Sequence, residues 1–91
     1  MNYTIDRESV AMKAFSSQAG YIADELDSVV SHLRQMLYQA EGHMKDESAQ
    51  RALAIVEELV EETVVGVSII RSTAEMIQKS ADLLEQSDEL L

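Results

Sequence analysis

The sequence predicts an all-α chain folded as an antiparallel helical hairpin, and three observations carry that prediction. The 91 residues include no proline, no tryptophan and only 3 glycines, so turn signals are nearly absent and long helices are favoured. Apolar residues recur in steps of three and four through most of the chain, which is the period of a helix and not of a strand. One short polar stretch, Glu41-Gly42-His43-Met44-Lys45-Asp46, interrupts that period near the middle.

The first helix is predicted over about 6–41. Its apolar seam reads Met12, Phe15, Ala19, Ile22, Leu26, Val29, Leu33, Met36 and Ala40, a 3–4 alternation sustained over four heptads. Asp6 is placed to cap this helix, with Tyr3, Thr4 and Ile5 as an extended lead-in. Gly42 is expected to end the helix in the left-handed conformation, and the turn occupies about 42–46. Asp46 is the expected N-cap of a second helix over about 46–87. Its seam reads Ala49, Leu53, Val56, Val60, Thr63, Val67, Ile70, Ala74, Ile77, Ala81 and Leu84. A short connection between helices of similar length makes them antiparallel neighbours, so residues 1–91 form one hairpin domain.

The second helix carries more apolar surface than one partner covers. Beside its seam run Ala52, Ile55, Leu59, Gly66, Ile69, Met76 and Leu83. A face that wide belongs inside a bundle, and a lone hairpin would leave it in water. Two hairpins are therefore expected to pair into a four-helix bundle, with Ile55, Leu59, Ile69, Met76 and Leu83 at the interface. Gly20 and Gly66, inside helices where glycine costs roughly 1 kcal/mol against alanine, are expected at close approaches of a neighbouring helix. Glu57, Glu58, Glu61 and Glu62 read as a solvated face. Continuing the seam beyond Leu84 reaches Asp88, a carboxylate at a core position, and a frayed helix end is the expected resolution.

Little in the sequence points to chemistry. The absence of cysteine removes disulfides, thiolate metal sites and Cys nucleophiles. The two histidines, His32 and His43, have no His partner at helical spacing, and no Glu-x-x-His motif of a di-metal bundle occurs. Glycine-rich phosphate loops are absent, and the serines lack a neighbouring general base. No catalytic residue, cofactor or metal is expected. His43 reads as turn material, and Met12, Met36 and Met76 as packing residues. The formal charge of −10 argues against nucleic acid and anionic membrane surfaces as partners. No apolar run approaches the length of a membrane span, and the first residues lack the pattern of a cleavable signal peptide. An alternative function attaches to Ser31-His32-Leu33-Arg34: an exposed His32 on a four-helix bundle would suit a cytoplasmic phosphotransfer or regulatory protein. The motif lacks the Lys-Gly that follows such a histidine in free-standing phosphotransfer domains.

Length, hairpin organisation and two short motifs together resemble the WXG-motif family of small type VII secretion proteins, the early-secreted-antigen-like group. At the turn, Ala40-Glu41-Gly42 keeps the glycine of the Trp-x-Gly motif and has Ala40 at the tryptophan position. Near the C-terminus, Leu84 through Asp88 keeps the spacing of Tyr-x-x-x-Asp/Glu, with Leu84 in place of the tyrosine. The chain is thus similar to a divergent member lacking both aromatics. The resemblance implies a non-enzymatic helical binding module, acting as a secreted factor or as helical partner and escort of a secreted toxin. It also implies export by the type VII route without a cleavable signal peptide, after a cytoplasmic stage, with Leu84 and Asp88 as the export signal. The implied partners are a second copy, a similar small helical protein or the N-terminal helical domain of a toxin, together with the secretion machinery.

Overall fold

In a computed structural model the backbone is described for residues 3–90 and the side chains for residues 7–87. Helix α1 spans Tyr3–Glu41 and helix α2 spans Glu47–Leu90. They pack against each other along their length as an antiparallel hairpin, a rod of 68 × 15 × 14 Å. The all-α hairpin is therefore as the sequence predicts, with no strand among the described residues.

The helix ends differ from expectation in three places. Residues 3–5 are already helical, so Tyr3 to Ile5 is no extended lead-in and Asp6 lies inside the helix rather than capping it. At the far end α2 continues to Leu90, past the expected stop near 87 and through the backbone of Asp88. Nor is Gly42 left-handed, since no glycine among the described residues has a positive φ. Instead the Ala40 carbonyl accepts hydrogen bonds from His43 N at 3.0 Å and Met44 N at 2.9 Å, which closes the last turn in right-handed geometry. A Cβ on Gly42 would meet only the Gln39 carbonyl at 3.6 Å, so neither conformation nor crowding requires glycine there. Asp46 behaves as expected: its Oδ2 accepts from Ser48 N at 3.1 Å and Ala49 N at 3.2 Å, capping α2. Glu47 in the first turn suits the helix dipole and pairs with Arg51 one turn on, at 2.7 Å.

The seam of α2 lies where its period places it, with every residue from Ala49 to Leu84 in that series buried or half-buried. The seam of α1 is rotated by one column. Buried residues recur every seven positions at Ser9, Ser16, Ala23, Val30 and Leu37. Met12, Ala19, Leu26, Leu33 and Ala40 flank them and are half-buried, whereas Phe15, Ile22, Val29 and Met36 are half exposed or more. The correction has a steric reason. One partner helix covers about two adjacent columns, and α1 offers three. In the free half, small residues at 9, 16 and 23 suit the centre of the contact, where Ser9 and Ser16 find acceptors on α2, and the column of Phe15 and Ile22 is left outside. Leu33 and Ile70, placed in the middle of their seams, are accordingly half-buried rather than buried.

Polar groups inside the seam are satisfied locally. Ser16 Oγ donates to the Ala74 carbonyl at 2.9 Å, Ser9 Oγ to Glu85 Oε1 at 2.8 Å, and Thr63 Oγ1 to the Leu59 carbonyl one turn back at 2.8 Å. Among the described residues no buried side-chain nitrogen or oxygen lacks a partner.

A candidate docking face on one flank of the hairpin

The two flanks of the seam differ in kind. On one flank the helices are laced by ion pairs. Lys13 Nζ meets Glu85 Oε1 at 2.6 Å, Arg71 meets Asp24 at 2.9 Å and also Asp27, and Arg34 meets Glu61 at 3.1 Å. The geometry of these pairs fixes which edge is which. Lys13, Asp27 and Arg34 each follow a half-buried α1 residue (Met12, Leu26, Leu33), and Arg71 and Glu85 follow Ile70 and Leu84 on α2. Residues that instead precede the central column must face the opposite flank, because one step along a helix turns about 100°. On α1 these are Glu8, Phe15, Ile22, Val29 and Met36; on α2 they are Ala52, Leu59, Gly66, Thr73 and Ser80. A step of three from that α2 column gives Ile55, Glu62, Ile69, Met76 and Leu83, which widen the same side and are apolar except for Glu62.

This second flank is open and apolar. Ile55, Leu59, Ile69, Met76 and Leu83 are 55–68% exposed, so the residues predicted to form an interface are uncovered in the single hairpin. The exposed α1 column lies on the same flank across the seam, so both helices contribute to one largely apolar face, interrupted by Glu62, Thr73 and Ser80. Sequence reasoning missed that contribution because it placed Phe15, Ile22, Val29 and Met36 in the hairpin core, and their seven-residue spacing does not distinguish them from the core columns. Gly66 lies within the face. A Cβ there, or on Gly20, would meet nothing within 4 Å, so the close helix approach expected at both glycines does not occur within the hairpin.

Charge is distributed accordingly. Asp24, Asp27, Glu57, Glu61, Asp82 and Glu85 lie on the laced side, while Glu8 and Glu62 stand within the columns of the open one and Glu25 at its margin. Lys13 and Ser9 hold the Glu85 carboxyl below its ordinary range by hydrogen bonding, and the same Glu85 contact raises Lys13. Asp27 and then Asp24 raise Arg71.

The remaining predicted positions are scattered. Ala40 is half-buried and Gly42 exposed at the turn. Leu84 is half-buried in the seam, more than 40 residues along the chain from that turn. The Asp88 side chain lies outside the described residues. His32 and His43 are both exposed, and Glu57, Glu58, Glu61 and Glu62 are exposed as expected. Among the described residues no group of three or more His, Cys, Asp or Glu could hold a metal, and no helix is long and apolar enough to cross a membrane. No family model, curated protein or solved structure matches the chain.

Proposed function

We propose that the protein is a non-enzymatic helical binding module whose open flank docks a second hairpin, most simply a second copy, into a four-helix bundle. The observation that carries this reading is the largely apolar face to which both helices contribute. Nine large side chains lie exposed on it: Phe15, Ile22, Val29, Met36, Ile55, Leu59, Ile69, Met76 and Leu83. A standard stable interface buries ~800 Å² per partner, and a face of nine large apolar side chains is of the kind such an interface uses. Soluble monomers seldom leave a strip of that size uncovered. The charge pattern leaves room for a second copy, with Glu8, Glu25 and Glu62 of each chain as the carboxylates beside the contact. Pairing open flank to open flank puts the laced, acidic sides of two chains of charge −10 on opposite outer surfaces, where solvent screens them.

Sedimentation equilibrium tests this reading. A mass of twice 10.1 kDa at micromolar concentration supports it, and a monomer without dye-accessible apolar surface refutes it. A chain that stays soluble only beside a different helical protein would assign the face to that partner instead of a copy.

The finer reading is that this module is exported by the type VII route, after a cytoplasmic stage, as a secreted factor or escort of a toxin. It rests on the resemblance of the turn at Ala40–Gly42 and of the Leu84–Asp88 spacing. Asp88→Ala should remove the protein from culture medium while leaving its cellular level unchanged; unaltered export would reject the tail as the signal. The alternative reading, phosphotransfer through His32, draws on the exposure of that side chain on α1. Failure of phosphoramidate to label His32 would dismiss it.

A further inference from the structure

The core of the hairpin changes composition along its length. The Ser16–Ala74 hydrogen bond fixes the antiparallel register, in which facing central residues have numbers summing to about 90. From the free ends toward the turn the facing pairs are then Ser9/Ala81, Ser16/Ala74, Ala23/Val67, Val30/Val60 and Leu37/Leu53. Side-chain volume rises at nearly every step. The contiguous hydrophobic cluster lies entirely in the turn half: Val30, Leu37 and Val60, with Leu33, Leu53, Val56 and Val64 packed against them. In the free half the central column is closed by small residues and two buried hydroxyls, and the half-buried Met12, Ile70, Ile77 and Leu84 beside it offset only part of that loss. The outermost layer is latched where Lys13 and the buried Ser9 both meet Glu85.

Each apolar carbon removed from a core takes away burial free energy, while the cost of ordering the backbone stays the same per residue. Hydrogen bonds such as Ser16 to Ala74 replace bonds to water and recover only part of that difference. A rod with neighbour-only contacts has nothing to spread the deficit from one end to the other. We propose that the hairpin opens from its free end as a separate unit, parting α1 from α2 as far as about residues 23 and 67, while the turn half stays closed. The open flank straddles this division. Val29, Met36, Ile55 and Leu59 ride on the closed half, and Phe15, Ile22, Met76 and Leu83 on the half that opens. A partner seated across both arms, on the docking reading given above, locks the arms together.

Two measurements on the whole chain test this, at concentrations low enough that sedimentation shows monomer. In hydrogen exchange, amides of 12–23 and 67–81 should be protected roughly tenfold less or lower than those of 29–37 and 53–61, as for a sub-global opening. Equal protection along the rod, or weaker protection at the turn half, would overturn the proposal. Because the chain has no cysteine, spin labels can also be placed at chosen pairs. Gln18→Cys with Ser72→Cys probes the free half, and His32→Cys with Glu58→Cys an equivalent exposed pair in the turn half. The first pair should give a broad distance distribution with a long tail, the second a narrow one; two equally narrow distributions would also overturn it. Both readouts are made on monomer, so they stand even if no second copy binds. Raising the concentration then tests the lock separately, by added protection confined to the free half.

Discussion

The two flanks of one seam show how the same pair of helices can finish one side and leave the other unfinished. On the laced flank Lys13, Arg34 and Arg71 find carboxylates on the opposite helix. On the open flank the corresponding positions are Phe15, Ile22, Val29, Met36, Leu59 and Gly66, which have no such capacity to meet water. Charged edges close a hairpin without inviting company, whereas an apolar edge is stable in water only when something covers it. The difference lies in which residue types stand one step before the central column and which stand one step after the side column.

Four experiments sharpen or break that contrast. The largest effect should come from beneath both flanks. Leu37 is buried in the cluster of the turn half, and Leu37→Ala should cost roughly 2–5 kcal/mol in thermal unfolding, the range for large-to-small core changes. Next comes the open flank: Ile69→Glu should weaken self-association by about 2–4 kcal/mol, as loss of a central interface residue does, with helicity by circular dichroism unchanged. Equal unfolding by both substitutions would mean that Ile69 supports the hairpin itself. On the laced flank Arg71→Ala should lower the melting temperature far less than Leu37→Ala, because exposed ion pairs contribute little and are screened by salt. A large loss there would show that the lacing carries the fold.

The smallest effect concerns pH. The folded pKa of Glu85 is depressed by Lys13 and Ser9, so its contribution is present above the unfolded carboxyl pKa and is lost as pH falls through the folded value. Lys13 is raised, so its contribution is present below the unfolded lysine pKa and disappears as pH rises through the folded value. Glu85→Gln should lower the neutral plateau slightly and flatten the acid limb by the same small amount, so that the two profiles converge at low pH. An unaltered acid limb would remove the latch from the account.

How much of this was legible depended on the residue types at each position. The fold followed from periodicity, and α2 was read to the correct column because its central residues, Val60, Val67, Ala74 and Ala81, are all apolar. On α1 the central column begins Ser9, Ser16, Ala23, and a hydrophobicity pattern gives serines no weight. Their hydroxyls are acceptable in the seam because Glu85 and the Ala74 carbonyl accept from them, contacts 76 and 58 residues distant in sequence. The cap at Asp46 was readable because its partners are local, Ser48 and Ala49. Gly42 misled for the opposite reason: glycine permits a left-handed turn without requiring one. The α2 half of the candidate face was visible as a second stripe, but its α1 half could be recognised only once the central column of α1 was known.

The central claim is that the open flank, and not the laced one, is the surface through which this hairpin meets a second. Amide and methyl chemical shifts followed on dilution test it most directly, since they report both flanks in one sample. The account predicts concentration-dependent shifts concentrated at Phe15, Ile22, Val29, Leu59 and Ile69, with Asp27, Arg34 and Glu61 nearly unmoved. Shifts centred on the laced flank, or none on either flank at millimolar concentration, would contradict it.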